Sequence, residues 1–161
     1  MKSLYRHIVK QCIAMLFFLG ITSAGAQTAD IQGIAGYSLG DVLDKKQVLK
    51  ETKADDGATV YTVKSLTAEQ QVNRLRLRIT QKQQIHRISA FSPVLTDADC
   101  QSRITQLRIQ TEKQFPTLGY YAMDQSEMFY QDDRTYTLEC VKTDDGIRLR
   151  QEYSDDKLAA Q

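Results

Sequence analysis

The sequence predicts an α+β domain in which one main helix packs against an antiparallel sheet. Three observations carry this. The run Arg74-Leu75-Arg76-Leu77-Arg78-Ile79 alternates with a period of two, as a strand with one buried and one wet face does. Cys100, Ile104, Leu107 and Thr111 recur at helical spacing and define one face. Turn clusters punctuate the rest: Asp55-Asp56-Gly57, Asp132-Asp133 and Asp144-Asp145-Gly146.

Taken in order, Ile31 to Ala35 reads as a short strand entering a glycine-rich turn, and Val42 to Lys50 as a short helix with an uneven apolar face. Thr59 to Val63, Arg74 to Ile79 and Gln84 to Phe91 form a first three-stranded meander, ended by Pro93. Thr96 is an N-cap, and Asp97 and Asp99 stand in the first helical turn, where acids suit the helix dipole. The helix continues to about Lys113 and stops before Pro116 and Gly119. Met128 to Gln131, Thr135 to Val141 and Ile147 to Tyr153 make a second three-stranded meander, and residues 154–161 read as a frayed tail. Short helix, three strands, helix, three strands is the order of an α-βββ duplication. In element order this resembles small bacterial envelope and inhibitor domains of the BamE-like and β-lactamase-inhibitor type, a likeness that transfers no functional residue.

The 161 residues, 25% charged and 42% hydrophobic, suit one globular domain. Lys2, Arg6 and Lys10 precede an apolar run from Cys12 to Ile21, and Ala24-Gly25-Ala26 follows. That is the pattern of a secretory signal peptide over 1–26, cleaved after Ala26, with a single soluble domain over 27–161. The run falls short of the roughly 20 apolar residues that span a bilayer. Loss of three cations leaves 18 basic against 20 acidic residues, a formal net charge of −2. Bulk charge therefore gives no basis for nucleic-acid binding. The expected location is periplasmic or secreted. There, the two cysteines of the mature chain, Cys100 and Cys140, are expected to form a disulfide.

Little catalytic chemistry stands out. His86 is the one histidine of the mature chain, and a general base or zinc site needs further partners. Gly36-Tyr37-Ser38-Leu39-Gly40 has the letters of a nucleophile elbow, but the chain is too short for a hydrolase sheet around it, and a turn is the simpler reading. The aspartate pairs fall in turns, and no window has the spacing of a calcium loop. No cofactor or metal is expected.

The most informative feature is a set of arginines. Arg74, Arg76 and Arg78 share one face of a strand, Arg87 lies on its neighbour, and Arg148 and Arg150 repeat the pattern in the second meander. Either cross-strand acids such as Glu139 and Glu152 balance them, or the face docks an acidic protein partner. Tyr120, Tyr121, Met123, Met128, Phe129 and Tyr130 form an aromatic connector that is either a second contact surface or a lid on the core. The functional expectation is an exported, non-enzymatic protein-binding module, of inhibitor, immunity or envelope-assembly type. The alternative is a protein that binds a small ligand or a lipid headgroup, and a carboxylate-only enzyme remains a third class.

Overall fold

In the computed structural model, residues 30–68 and 72–161 are described; residues 1–26, read from the sequence as a signal peptide, lie outside them. The strands are β1 (Gly33–Ile34), β2 (Tyr37–Ser38), β3 (Val48–Lys53), β4 (Thr59–Val63), β5 (Arg74–Ile79), β6 (Ile85–Phe91), β7 (Gly119–Met123), β8 (Ser126–Gln131), β9 (Arg134–Thr143) and β10 (Gly146–Asp155). The helices are α1 (Asp97–Gln114) and α2 (Asp156–Ala159), with a 3-10 turn at Lys45–Gln47. β1 and β2 form a small hairpin. The other strands build one antiparallel, eight-stranded sheet in the order β3-β4-β5-β6-β10-β9-β8-β7. The fold is α+β and dominated by its sheet.

Each meander has four strands rather than three, and β6 joins β10 so that the two halves share one sheet. The additions are β3 and β7. Val48 to Lys53 has no apolar helical face to bury, so beyond the 3-10 turn it pairs with β4 instead of forming a helix. Gly119 to Met123, the first part of the aromatic connector, pairs residue for residue with β8 through the turn at Asp124-Gln125. The C-terminal tail is also ordered rather than frayed. β10 runs to Asp155, whose buried carboxylate accepts from the Leu158 amide at 2.8 Å and pairs with Arg134 at 3.0 Å.

One face of the sheet carries the core. Tyr61, Val63, Leu75, Leu77, Ile88 and Ala90 continue through Leu149, Leu138 and Phe129, because direct cross-strand partners share a face. The β1–β2 segment, from Ala35 to Leu43, covers the first half, and α1 covers the second through Cys100 and Ile104. The Cys100–Cys140 disulfide fastens the first turn of α1 to β9. Thr96 caps α1 by accepting from the Asp99 amide at 3.1 Å, so Asp99 has a structural role in that cap. In the β1–β2 hairpin, Ala35 and Gly36 both have positive φ, +58° and +86°, the signature of a type I′ turn. Ser38 belongs to this hairpin and not to a strand-to-helix elbow.

Candidate functional site

Both coverings lie on the core face, and among the described residues the opposite face is open except where the chain leaving β6 crosses Arg148. Register assembles it. Arg74 stands opposite Phe91, Arg76 opposite Ser89 and Arg78 opposite Arg87 across β5–β6. Arg150 faces Phe91 and Glu152 faces Ser89 across β6–β10, and Glu139 faces Arg150 across β9–β10. Of the six arginines read from the sequence, five reach this open surface: Arg74, Arg76, Arg78, Arg87 and Arg150.

Arg148 does not. Its alternation is as expected, but it is buried, and the chain leaving β6 accounts for this. Its Nη1 donates to the Ser92 carbonyl at 2.6 Å, while Nη2 pairs with Asp145 at 2.5 Å. Arg148 fastens the chain after β6 to the turn before β10 and has no surface to offer a partner.

The other arginines divide by electrostatics. Arg78 pairs with Asp56, in the β3–β4 turn, at 2.6 Å. Arg150 pairs with Glu139 and lies 4.0 Å from Glu152; Arg87 lies 3.8 Å from Glu152, whose other oxygen accepts from the Ser89 hydroxyl at 2.8 Å. Glu139 and Glu152 thus do what cross-strand acids are expected to do, but only in the middle of the sheet. Arg74 and Arg76 have no acid within ion-pair distance among the described residues. Arg76 sits over the Phe91 ring, 5.3 Å from its centroid. Burial first, then the neighbouring Arg74 charge, draws its pKa down from the ordinary value. Here the positive charge is crowded and not neutralised. A depression of about 440 Å3 opens among Arg76, Arg87, Ser89, Phe91 and Arg150, and within this group the Nε atoms of Arg87 and Arg150 are buried without a hydrogen-bond partner.

The aromatic connector splits between the two faces, because alternate residues of a strand point opposite ways. Tyr121 and Tyr130, 57% and 47% exposed, join the open face with Met123. Tyr120 turns to the core side, where its ring lies 5.3 Å from Phe129 and its hydroxyl donates to Glu127. Alternate residues of the connector therefore face solvent and core.

On the core side a second cavity, about 390 Å3, opens between α1 and the segment from Asp30 to Gly33. Tyr136 and Tyr153, their rings 4.5 Å apart, floor it. The Tyr136 hydroxyl donates to Gln151 at 2.8 Å, and burial holds its pKa well above the usual phenol value.

His86 is the extra residue of a β-bulge, since Arg78 pairs with Arg87 while Ile79 pairs with Ile85. The bulge lets Ile85 and Ile88 both enter the core although their spacing is odd. Nδ1 of His86 is buried without a partner, and burial, then Arg87 and Arg78, lowers its pKa. Among the described residues, no group of His, Cys, Asp or Glu is placed to hold a metal, and no helix is long and apolar enough to cross a membrane.

Phe91, Ser89 and Asp56 are parts of the arginine face that sequence reasoning missed. Phe91 ends an apolar strand and reads as core, and nothing local says that the Asp56 turn reaches Arg78 two strands away. No protein-family model, no curated protein and no solved structure matches this chain.

Proposed function

We propose that this chain is exported to the periplasm or beyond, with residues 1–26 as its signal peptide, and acts there as a non-enzymatic protein-binding module that docks an acidic partner on the open sheet face. The carrying observation is the pair of half-buried Arg74 and exposed Arg76, the latter over the Phe91 ring, which have no acid within ion-pair distance among the described residues. Like charges at i and i+2 destabilise a strand unless something neutralises them, and a partner's carboxylates would do so. Arginine and tyrosine, both present on this face, are among the residues enriched at interface hot spots. An inhibitor, immunity protein or envelope-assembly accessory protein uses such a surface. The mirror-like order of the two four-stranded meanders about the β6–β10 junction supports reading the strands as a duplication, although the first half has a 3-10 turn where an α-βββ unit has its helix.

The test is charge reversal at the unpaired positions. Arg74→Glu with Arg76→Glu is a surface change and is expected to alter stability by less than about 1 kcal/mol. The acidic protein that the unmutated chain retains from envelope extract is expected to bind the variant more weakly by about 2–5 kcal/mol, and to leave the unmutated chain as salt is raised. A partner indifferent to both overturns the assignment of this face.

The cavity floored by Tyr136 and Tyr153 favours a second reading, a small-ligand protein. Native mass spectrometry separates the two. A bound small molecule that is lost with Gln151→Leu supports the ligand reading, and a stoichiometric protein partner supports the first.

A further inference from the structure

The two edges of the sheet differ in kind. β3 carries Lys50, Glu51 and Lys53 and is interrupted by a bulge between Val48 and Lys50. These are the devices that keep a foreign strand from adding to an edge. β7, with the sequence GYYAM, has no charge and no bulge, and pairs regularly with β8 over its whole length. Tyr120, Tyr121 and Met123 are exposed along it, and alternate N–H and C=O groups of any edge strand face outward unpaired. On the open face the surface beside this edge is apolar, with Tyr121, Met123, Met128 and Tyr130, while the core side carries Glu127 against Tyr120. A Cβ on Gly119 would fall 2.2 Å from the Tyr130 ring, so the ring lies flat across the strand in the place a side chain would take.

We infer that β7 pairs antiparallel with β7 of a second copy of this chain, about a two-fold axis at Tyr121. In that register Tyr121 meets its own counterpart, Tyr120 meets Ala122, and Gly119 meets Met123. No charge meets a charge, and the nearest acid, Asp124, falls opposite Leu118. The aromatic strip of Tyr121 and Tyr130 continues across the axis on the open face, so one partner covers both the bare backbone and the apolar patch. β3 of another copy is a poor occupant. It would strip water from Lys50, Glu51 and Lys53 against an uncharged strand, and such a head-to-tail contact propagates, whereas the two-fold contact closes. The axis stands perpendicular to the sheet, so both arginine faces end on the same side of one continuous sheet. The inference rests on the edge alone and is independent of what binds those faces.

Sedimentation equilibrium of the mature chain is expected to give twice the monomer mass, falling toward the monomer on dilution. Tyr121→Lys sets two ammonium groups together at the axis and is expected to yield a folded monomer with unchanged circular dichroism, whose melting no longer depends on protein concentration. Thr52→Lys, on the opposite edge, is expected to leave the dimer intact. Tyr121→Cys brings two thiols within disulfide reach and is expected to give a covalent dimer on oxidation. A wild-type chain that stays monomeric up to about 1 mM, so that any Kd is weaker than that, overturns the inference. So does a dimer that survives Tyr121→Lys, or one that Thr52→Lys disrupts as readily.

Discussion

Reduction of the Cys100–Cys140 disulfide tests how α1 is held. The bond closes a loop across a sequence separation of 40, which contains most of α1, all of β7 and β8 and part of β9. Opening that loop in the unfolded chain restores entropy worth about 4 kcal/mol at 25 °C. The structure gives no large compensating contact. α1 has only Cys100 and Ile104 buried along its 18 residues, so beyond the disulfide its docking depends on Ile104 and the half-buried Leu107. For a domain of this size each kcal/mol moves the melting temperature by about 3–5 °C, so reduction is expected to lower it by about 15 °C. Calorimetry with and without a phosphine reductant reads the shift, and hydrogen exchange is expected to show α1 losing protection before the β5–β6–β10 centre does. Two reactive thiols in the unfolded, unreduced protein refute the bond. A shift under about 3 °C refutes the reasoning that loop closure is its main contribution.

Two other expectations follow from particular side chains. His86 is held below its ordinary pKa by burial and by Arg87 and Arg78, with Asp155 and Asp156 opposing. The unfolded chain therefore binds the proton first, and stability declines as pH falls from about 6.5 toward the depressed native value. His86→Gln is expected to flatten that slope in urea titrations at about pH 7.5 and about pH 5.5, and an unchanged slope would assign it to other groups. Arg148→Met removes the charged donor from the Ser92 carbonyl and the partner from Asp145, and is expected to cost about 1.5–3 kcal/mol in denaturant unfolding while leaving partner binding unchanged. Loss of binding without loss of stability would return Arg148 to the docking face.

What the sequence determined by itself is local. Alternation placed Leu75 and Leu77 inward and Arg74 and Arg76 outward, because a strand has no other way to separate the two sets. Thr96, Asp99 and the i, i+4 spacing of Cys100 and Ile104 set the start and the buried face of α1. Reading residues 1–26 as a signal peptide left one pair of cysteines and one simple pairing, and the geometry of Cys100 and Cys140 agrees with it. Tertiary structure decided everything that depends on which strand lies beside which. Val48 to Lys53 and Gly119 to Met123 became strands only because β4 and β8 offered unpaired edges. The same arginine alternation ended in three ways: Arg78 paired with an acid from the β3–β4 turn, Arg148 buried under the chain leaving β6, and Arg74 and Arg76 without an acid partner among the described residues. The bulge at His86 adds the reason. One extra residue in β6 shifts which of its side chains face the core, and that shift is fixed by the long-range pairing of β5 with β6, for which a single sequence carries no local signal.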